Sequence, residues 1–324
     1  MTTMKDVARR AGVSVGTVSR YINQAPGLKE KTISAVKQAI ADLNYIPDEY
    51  AKGLKTNNTQ TVVLLVPTVW HPFFSEFAYY VEQYLSAKNY KMILCNSDHD
   101  PQKEQLYVQM VIQNKIDGII GITYNDLGKY TTGDIPFVSI DRYFDEDTSY
   151  ISSDNYDGGR QAAQAMIAKG SKYLMYFGDK SIFANDTMRR RDGFRAEITH
   201  QKLPYDEIYD ENPLLNLDER LHQKLVANPQ IDGIFCVTDA MARKVITALK
   251  KQGIEVPAQI QVVGYDGSKA YREDPQAMLS TIVQPVAEMA EAAVKVILDK
   301  IENKNDKKIA IHLPVKFHPG TTTR

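Results

Sequence analysis

The sequence predicts an N-terminal all-α headpiece containing a helix-turn-helix, then a hinge, then an α/β core of two doubly wound parallel-sheet subdomains. Three observations carry this. Over residues 1–46 apolar side chains recur at helical spacing around a glycine turn. From Thr61 onward, short β-branched runs alternate with helical stretches. Charge is also split: residues 1–58 hold nine Lys/Arg and five Asp/Glu, a net +4, while the 324-residue chain totals −1, leaving −5 for the remainder. A basic head on a mildly acidic body suits a polyanion-binding module joined to something else. The length suffices for two or three domains.

In the head, Thr3 can cap a first helix, with Asp6 three residues on as an imperfect capping box. Val7, Ala8 and Ala11 form its apolar stripe, and Gly12 supplies a left-handed end. Ser14 can cap a second helix. On a helical wheel Val18, Tyr21 and Ile22 share one face with Val15 at its flank, and Gly16, Ser19, Arg20 and Asn23 line the other. Slim polar residues beside one long bidentate donor suit a helix lying in a DNA major groove. Taken alone, the stretch also reads as a short amphipathic surface helix. After the break at Ala25-Pro26-Gly27, a third helix puts Ile33, Val36, Ile40 and Leu43 on one stripe and closes a three-helix core.

Pro47-Asp48-Glu49 opens a further helix that runs to Lys55 and is too short to be stable alone. Gly53 weakens it further, and Thr56-Asn57-Asn58-Thr59 reads as a linker.

In the body, TVVLLVP, KMILCNS, DGIIGI, PFVSID, KYLMYFG, DGIFCV and QVVGYD read as buried parallel strands. Helices are expected at 74–89, 102–115, 157–169, 217–227, 240–252 and 286–302. Such folds bind ligands beyond the carboxyl ends of their strands. After TVVLLVP come His71, Phe73 and Phe74; after PFVSI come Asp141 and Arg142; a loop after KYLMYFG leads to Arg190 within Arg189–Arg191. Thr238 and Asp239 follow IFCV, Asp266 follows QVVGY, and Gln284 follows STIV. Aromatic faces, carboxylates, guanidiniums and an amide are the inventory of a sugar site: rings stack on C–H faces, and Asp and Arg bond vicinal hydroxyls in pairs.

Plainer readings stand beside these. Phe73 and Phe74 fit the core of the next helix, Asp141-Arg142 a structural ion pair, and Asp239 a helix cap. The Arg189–Arg191 run fits a phosphate or a solvated cluster. Asp98-His99-Asp100 superficially suggests a metal but precedes Pro101, so a loop and helix cap is the better reading. Cys95 and Cys236 sit in apolar runs and read as buried thiols. Neither a metal, a cofactor nor a catalytic residue is expected, since no Walker loop, nucleophile elbow, H-E-x-x-H, C-x-x-C or dinucleotide fingerprint occurs. No signal peptide or membrane-length apolar run is seen, so a cytoplasmic protein without membrane association is expected.

The run Val7-Ala8-x-x-Ala11-Gly12-Val13-Ser14-x-x-Thr17-Val18-Ser19-Arg20-x-Ile22-Asn23, with Asn44-Tyr45-x-Pro47 after it, resembles the headpiece of the lactose/galactose repressor (LacI/GalR) family. The resemblance implies DNA contacts from Val15, Gly16, Thr17, Ser19, Arg20 and Asn23. Base reading falls on Val15, Gly16 and above all Arg20, to guanine or alternatively to phosphate. It also implies a hinge helix whose Leu54 opens a minor-groove step, unless Leu54 packs on the third helix. The body is similar to the periplasmic sugar-binding fold that this family shares. Phe73 and Phe74 match paired stacking aromatics, and Asp141, Arg142, Arg190, Asp266 and Gln284 match polar contacts. His71 and Thr238 stand where asparagines are usual, which leaves the hydroxyl pattern open. The sequence looks most like the ribose- and sucrose-type branch.

The implied domains are a headpiece at 1–46, a hinge and linker at 47–59, and a core at 60–324. The core divides into an N-subdomain of about 60–155 plus 286–313 and a C-subdomain of about 156–283 plus 314–324. The implied protein is a homodimeric repressor on a palindromic operator, released by a mono- or disaccharide or a sugar phosphate. A purine corepressor and a protein partner are alternatives within the family. A plain solute-binding protein fits the body but not the basic head.

Overall fold

A computed structural model describes residues 2–46, 58–123, 125, 135–142, 148–181, 183, 185–269, 278–303 and 307–324. The chain divides into two units, Met1–Thr59 and Gln60–Arg324. The expected hinge helix, with Gly53 and Leu54, lies outside the described residues.

The first unit holds helices α1 (Met4–Ala11), α2 (Val15–Ile22) and α3 (Glu30–Asp42). Helix α1 starts where the Asp6 carboxylate accepts from Thr3 N at 3.0 Å and Thr3 Oγ1 at 2.6 Å, and it ends at Gly12 with φ 68°. Ser14 Oγ accepts from Thr17 N at 3.1 Å and so starts α2. Val7, Ala8, Val18, Val36, Ala39 and Tyr45 make the core, with Ile40 and Leu43 packed against it. Ile33, expected on the buried stripe, is 38 % exposed. The 13-residue α3 outruns the two eight-residue helices it packs on, and Tyr45 beyond its end fills the core instead.

The second unit contains two six-stranded sheets. The first comprises β1 (Thr61–Val66), β2 (Lys91–Asn96), β3 (Gly118–Gly121), β4 (Phe137–Ile140), β5 (Ser149–Ser153) and β11 (Ala310–Leu313), in the order β11-β5-β4-β3-β1-β2. All its pairings are parallel. The second comprises β6 (Leu174–Asp179), β7 (Tyr205–Asp210), β8 (Gly233–Cys236), β9 (Gln261–Asp266), β10 (Ser280–Val283) and β12 (Lys316–His318), in the order β12-β10-β9-β8-β6-β7. Here the edge strand β12 runs antiparallel to β10, while the other pairings are parallel as expected. The chain reaches β12 from β11 through Pro314 and Val315 alone, with no crossover helix of the kind a parallel strand requires.

Helices α4 (Pro72–Ser86), α5 (Pro101–Gln113) and α10 (Val286–Asn303) cover the first sheet. Helices α6 (Asn155–Ala168), α7 (Arg189–His200), α8 (Leu217–Ala227) and α9 (Asp239–Lys251) cover the second. The two-residue side-chain period of β6 divides its apolar residues between two cores. Leu174 and Tyr176 join Phe194 and Phe235 on one face, while Met175 and Phe177 join Leu221 and Leu249 on the other. On the first sheet, Phe73, Phe74 and Phe77 of α4 meet Met289, Ala293 and Ile297 of α10. Each such buried side chain contributes roughly 1.5–3 kcal/mol.

The chain crosses between the sheets three times: from β5 into α6, from β10 into α10, and from β11 into β12. Two crossings lie side by side, since Asp154 N donates to Leu313 O at 2.7 Å.

Helices α6 and α7 touch through backbone. A Cβ on Gly193 would sit 1.9 Å from Tyr156 O, and one on Gly159 would sit 2.0 Å from Arg190 O. Only glycine allows this approach, and it fixes the start of α7. Gly193→Ala should therefore destabilise the second unit by about 1–3 kcal/mol or more through overpacking. Equilibrium urea unfolding checks this, and a wild-type midpoint would contradict the close contact.

Candidate functional site

On α2 of the head, Val15 is 41 % exposed, Gly16, Arg20 and Asn23 are exposed, and Thr17 and Ser19 are half-buried. Positions 16, 19, 20 and 23 follow the i, i+3, i+4, i+7 spacing of one helix face. Three of the expected contact residues already have partners: Thr17 Oγ1 lies 2.9 Å from Ser14 Oγ, and Asn23 Nδ2 donates to Ser19 Oγ at 3.5 Å. Arg20 differs from a free fork, because its Nη2 donates to Pro26 O at 2.7 Å. The turn that ends α2 thus holds the side chain whose donors could read bases.

In the body, the candidate residues gather where strands of both sheets end. Asp141 follows β4 and is buried, as is Asp266 at the end of β9. Both are non-glycine residues at positive φ, 54° and 114°. Such backbone is costly and persists where its surroundings over-determine it. Asp141 Oδ1 accepts from Ser152 Oγ at 2.9 Å and from Asn155 Nδ2 at 3.4 Å. Asn155 Oδ1 accepts from Arg190 Nε at 2.7 Å, and Arg190 Nη1 donates to Val237 O at 2.7 Å. The same Nη1 lies 3.6 Å from Asp266 Oδ1, and the guanidinium sits 3.7 Å over the Tyr265 ring. Gln284 Nε2 donates to Asp266 Oδ1 at 2.9 Å, while Gln284 Oε1 accepts from Ser153 Oγ at 2.8 Å. Asp141, Asn155, Arg190, Asp266, Gln284 and Ser153 form one connected network across both sheets.

Burial pushes both carboxyls up from the usual range, and Arg190 pulls each back toward ionisation. His71 adds to that pull on Asp266, with its Nε2 3.9 Å from Asp266 Oδ2. Asp266 Oδ2 is buried and receives no hydrogen bond. His71 precedes Pro72 at the start of α4, its ring 5.0 Å from that of Phe74. Phe73 and Phe74 are both buried, 5.6 Å apart edge to face, and Phe73 stacks on Phe77 at 6.3 Å. They are core residues of α4 as well as neighbours of the network. Arg142 Nη1 donates to Asn125 O, and its guanidinium lies 4.9 Å over Phe183.

Thr238 and Asp239 have other work. Thr238 caps α9, its Oγ1 accepting from Met241 N at 3.2 Å, so the cap is Thr238 and not Asp239. Asp239 Oδ1 accepts from Thr281 Oγ1 at 2.6 Å and its Oδ2 from Ser268 N at 3.2 Å. It is a buried anchor between β10 and the segment after β9. Asp100 caps α5, accepting from Gln102 N at 2.8 Å, which fits the loop reading of Asp98-His99-Asp100. Arg191 binds Glu207 with two hydrogen bonds of 2.7 and 2.6 Å, facing away from Arg190's partners. Among the described residues no group of three or more His, Cys, Asp or Glu could hold a metal, and no helix is long and apolar enough to cross a membrane.

Sequence reasoning missed Ser152, Ser153, Asn155 and Tyr265. Their signals were present but weak: a polar run Ser152-Ser153-Asp154-Asn155 closing a strand, and an aromatic directly before Asp266.

Comparison with known proteins follows this division. Residues 3–48 match the family model for bacterial regulatory proteins of the lacI family, and residues 62–305 match a periplasmic binding protein domain. The chain is 37 % identical over 324 residues to a sucrose operon repressor of Pediococcus pentosaceus, covering 98 % of each. It is 34 % identical over 333 residues to a ribose operon repressor of Bacillus subtilis, covering 100 % of this chain and 99 % of that one. A solved periplasmic binding protein/LacI transcriptional regulator of Alkaliphilus metalliredigens, complexed with D-xylulofuranose, superposes with a TM-score of 0.73 at 29 % identity. That likeness covers 82 % of this chain and 99 % of the other.

Burial, then the charge of Asp266, raises the Asp239 carboxyl well above 3.8. A carboxyl raised on folding supports the fold fully below its unfolded pKa, and that support is lost as pH climbs through the folded value. Urea unfolding between about pH 4 and pH 8 should show the wild type losing stability relative to Asp239→Asn as pH rises. A difference that does not change with pH would contradict the upward shift of this carboxyl.

Proposed function

The chain belongs to the lacI family of bacterial regulatory proteins, and we propose that it is a sequence-specific repressor whose hold on a palindromic operator is released by a small sugar. The single observation behind the sugar is the buried network of Asp141, Asn155, Arg190, Asp266 and Gln284, with one Asp266 oxygen lacking a donor. A polyol supplies hydroxyls that donate to the carboxylates and accept from the guanidinium and amide, so each buried group gains a partner. The relatives named for sucrose and ribose, and the neighbour solved with D-xylulofuranose, support a mono- or disaccharide as the class.

In this reading residues 1–46 are the DNA-binding headpiece, 47–59 the hinge and linker, and 60–324 the effector and dimerisation core. Its subdomains are about 60–155 plus 286–313 and about 156–283 plus 314–324, divided at the three crossings. Two heads of a homodimer contact half-sites through Val15, Gly16, Thr17, Ser19, Arg20 and Asn23, and two-fold protein symmetry makes the operator palindromic. Leu54 of each hinge wedges into the minor groove. Sugar between the lobes changes their relative angle at the crossings and so the spacing of the paired hinges, and hinge order is lost with high-affinity binding. His71, Phe73, Phe74 and Arg142 shape the sugar's surroundings. Thr238 and Asp239 support it from behind, Thr238 by starting α9 and Asp239 by holding Ser268.

Two variants separate the parts. Arg20→Ala should weaken operator binding by ~1–3 kcal/mol and relax preference at one base pair per half-site, measured by titration against point-mutated operators. An equal loss on random DNA would assign Arg20 to phosphate. Asp266→Ala should abolish the response to D-ribose, D-fructose and sucrose while leaving operator affinity in buffer unchanged. A variant that still releases DNA with sugar would overturn the site.

A further inference from the structure

The turn after α2 closes back on Arg20. Gln24, at φ 53°, donates its N–H to Tyr21 O at 3.0 Å, and Ala25 N donates to Arg20 O at 2.9 Å. A left-handed residue flanked by these two bonds is a common way to end a helix. Pro26 follows at once, and its carbonyl accepts from Arg20 Nη2 at 2.7 Å. One turn therefore ties Arg20 at both ends, its carbonyl through Ala25 and its guanidinium through Pro26. The accepting oxygen belongs to the planar Pro26–Gly27 peptide, which turns only about the bonds on either side of it. The proline ring locks its own φ at about −65°, so ψ of Pro26 and φ of Gly27 are left to aim the oxygen. Gly27 stands at φ 88°, which glycine adopts freely and other residues adopt at a cost. A Cβ on Gly27 would also lie 3.5 Å from Arg20 Nη2, against the held guanidinium.

Arg20 is exposed, and an exposed arginine otherwise samples many rotamers. The bond to Pro26 O occupies one of its N–H donors and leaves the rest of the fork for other acceptors. Two kinds of acceptor compete for that fork on DNA. Phosphate attracts any cation within reach, whatever the sequence. Guanine presents O6 and N7 together, in the geometry that a guanidinium matches with two bonds. We propose that Gly27 is a specificity-determining residue: by aiming the Pro26 carbonyl at Arg20, it keeps the guanidinium ordered on the protein until a guanine edge takes it. The same hold withholds the guanidinium from the phosphates of unrelated DNA, where a single acceptor repays less for leaving Pro26. Gly27 is thus a positioning residue that acts only through Arg20. The proposal rests on the base-reading role given to Arg20 above and adds the residue that governs how selectively Arg20 is used.

Selection from random-sequence duplexes with the full-length wild type supplies the operator. Affinity for that operator and for random DNA is then measured at one salt concentration. The proteins compared are wild type, Gly27→Ala, Gly27→Asn, Arg20→Ala and the double variant Gly27→Ala/Arg20→Ala. Gly27→Ala should lower the ratio of operator to random-DNA affinity by roughly 2- to 10-fold per half-site, the factor for ordering one long side chain on contact. Its affinity for random DNA should not fall. Gly27→Asn should lower the ratio less, because asparagine accepts a positive φ better than alanine does. With Arg20→Ala already in place, Gly27→Ala should change the ratio by less than about twofold, since the side chain it acts on is gone. Equal losses on operator and random DNA from both Gly27 variants would make the glycine a purely structural residue and overturn the proposal. An unchanged ratio in Gly27→Ala, or a loss of the same size with Arg20 already removed, would overturn it too. A wild-type ratio in Arg20→Ala overturns the base-reading role of Arg20 itself, a result distinct from the others.

Discussion

A guanidinium taken out of water costs several kcal/mol unless its donors and charge are matched on the spot. Arg190 is 2 % exposed, and its surroundings meet that demand from several elements at once: Asn155 from α6, the Val237 carbonyl after β8, and Asp266 and the Tyr265 ring from β9. The helix carrying it is placed by a contact between α6 and α7 that only Gly159 and Gly193 allow. Asn155 carries the network on to Asp141 in the first sheet, and Asp266 carries it to Gln284 and Ser153 at the crossings. Burial pushes the Asp141 and Asp266 carboxyls up, and this one cation pulls both back toward ionisation. The polar network at the strand ends, and its continuity from one sheet to the other, both depend on where Arg190 stands.

The head shows the opposite economy. Its core is five small or medium side chains and Tyr45, and its first two helices are short, so stability comes from caps and one close cluster. Arg20 is exposed, and its hydrogen bond to Pro26 O is the kind that water or a base edge replaces at small net cost. In the role proposed for it, an arginine held this way is ordered before contact yet releasable on contact. The Pro26-Gly27 turn, which sequence patterning treated only as a break, holds the Arg20 side chain through the Pro26 carbonyl.

Much of this was legible in the sequence, and what was not has identifiable causes. The three head helices followed from caps, a glycine end and apolar spacing, signals that act within a few residues. Strands buried on both faces, such as β1 and β8, announced themselves as apolar runs. Strand β7, written YDEIYD at the edge of its sheet, carries no such run, and β12 joins antiparallel because a two-residue link determines its direction. Ile33 followed the right period but lay beyond the partners it would have packed on. In the body, Asp141, Arg190, Asp266 and Gln284 were reachable because strand ends point at one place. Asn155 and Ser152 were not, since their value comes from bridging two carboxylates and a guanidinium that are distant in sequence. Thr238 and Asp239 occupy a strand end too, yet the helix that starts there claims one and a buried anchor the other. Position at a strand end is therefore not sufficient for a role in this network.

If sugar and operator act on one two-state body, each must change the affinity of the other by the same factor. The most direct measurement is a closed cycle on the full-length protein: operator affinity with and without saturating sugar, and sugar affinity with and without saturating operator. The account predicts weakening in both directions by equal factors. Operator binding that ignores a sugar known to occupy the body, or tightens with it, would contradict it.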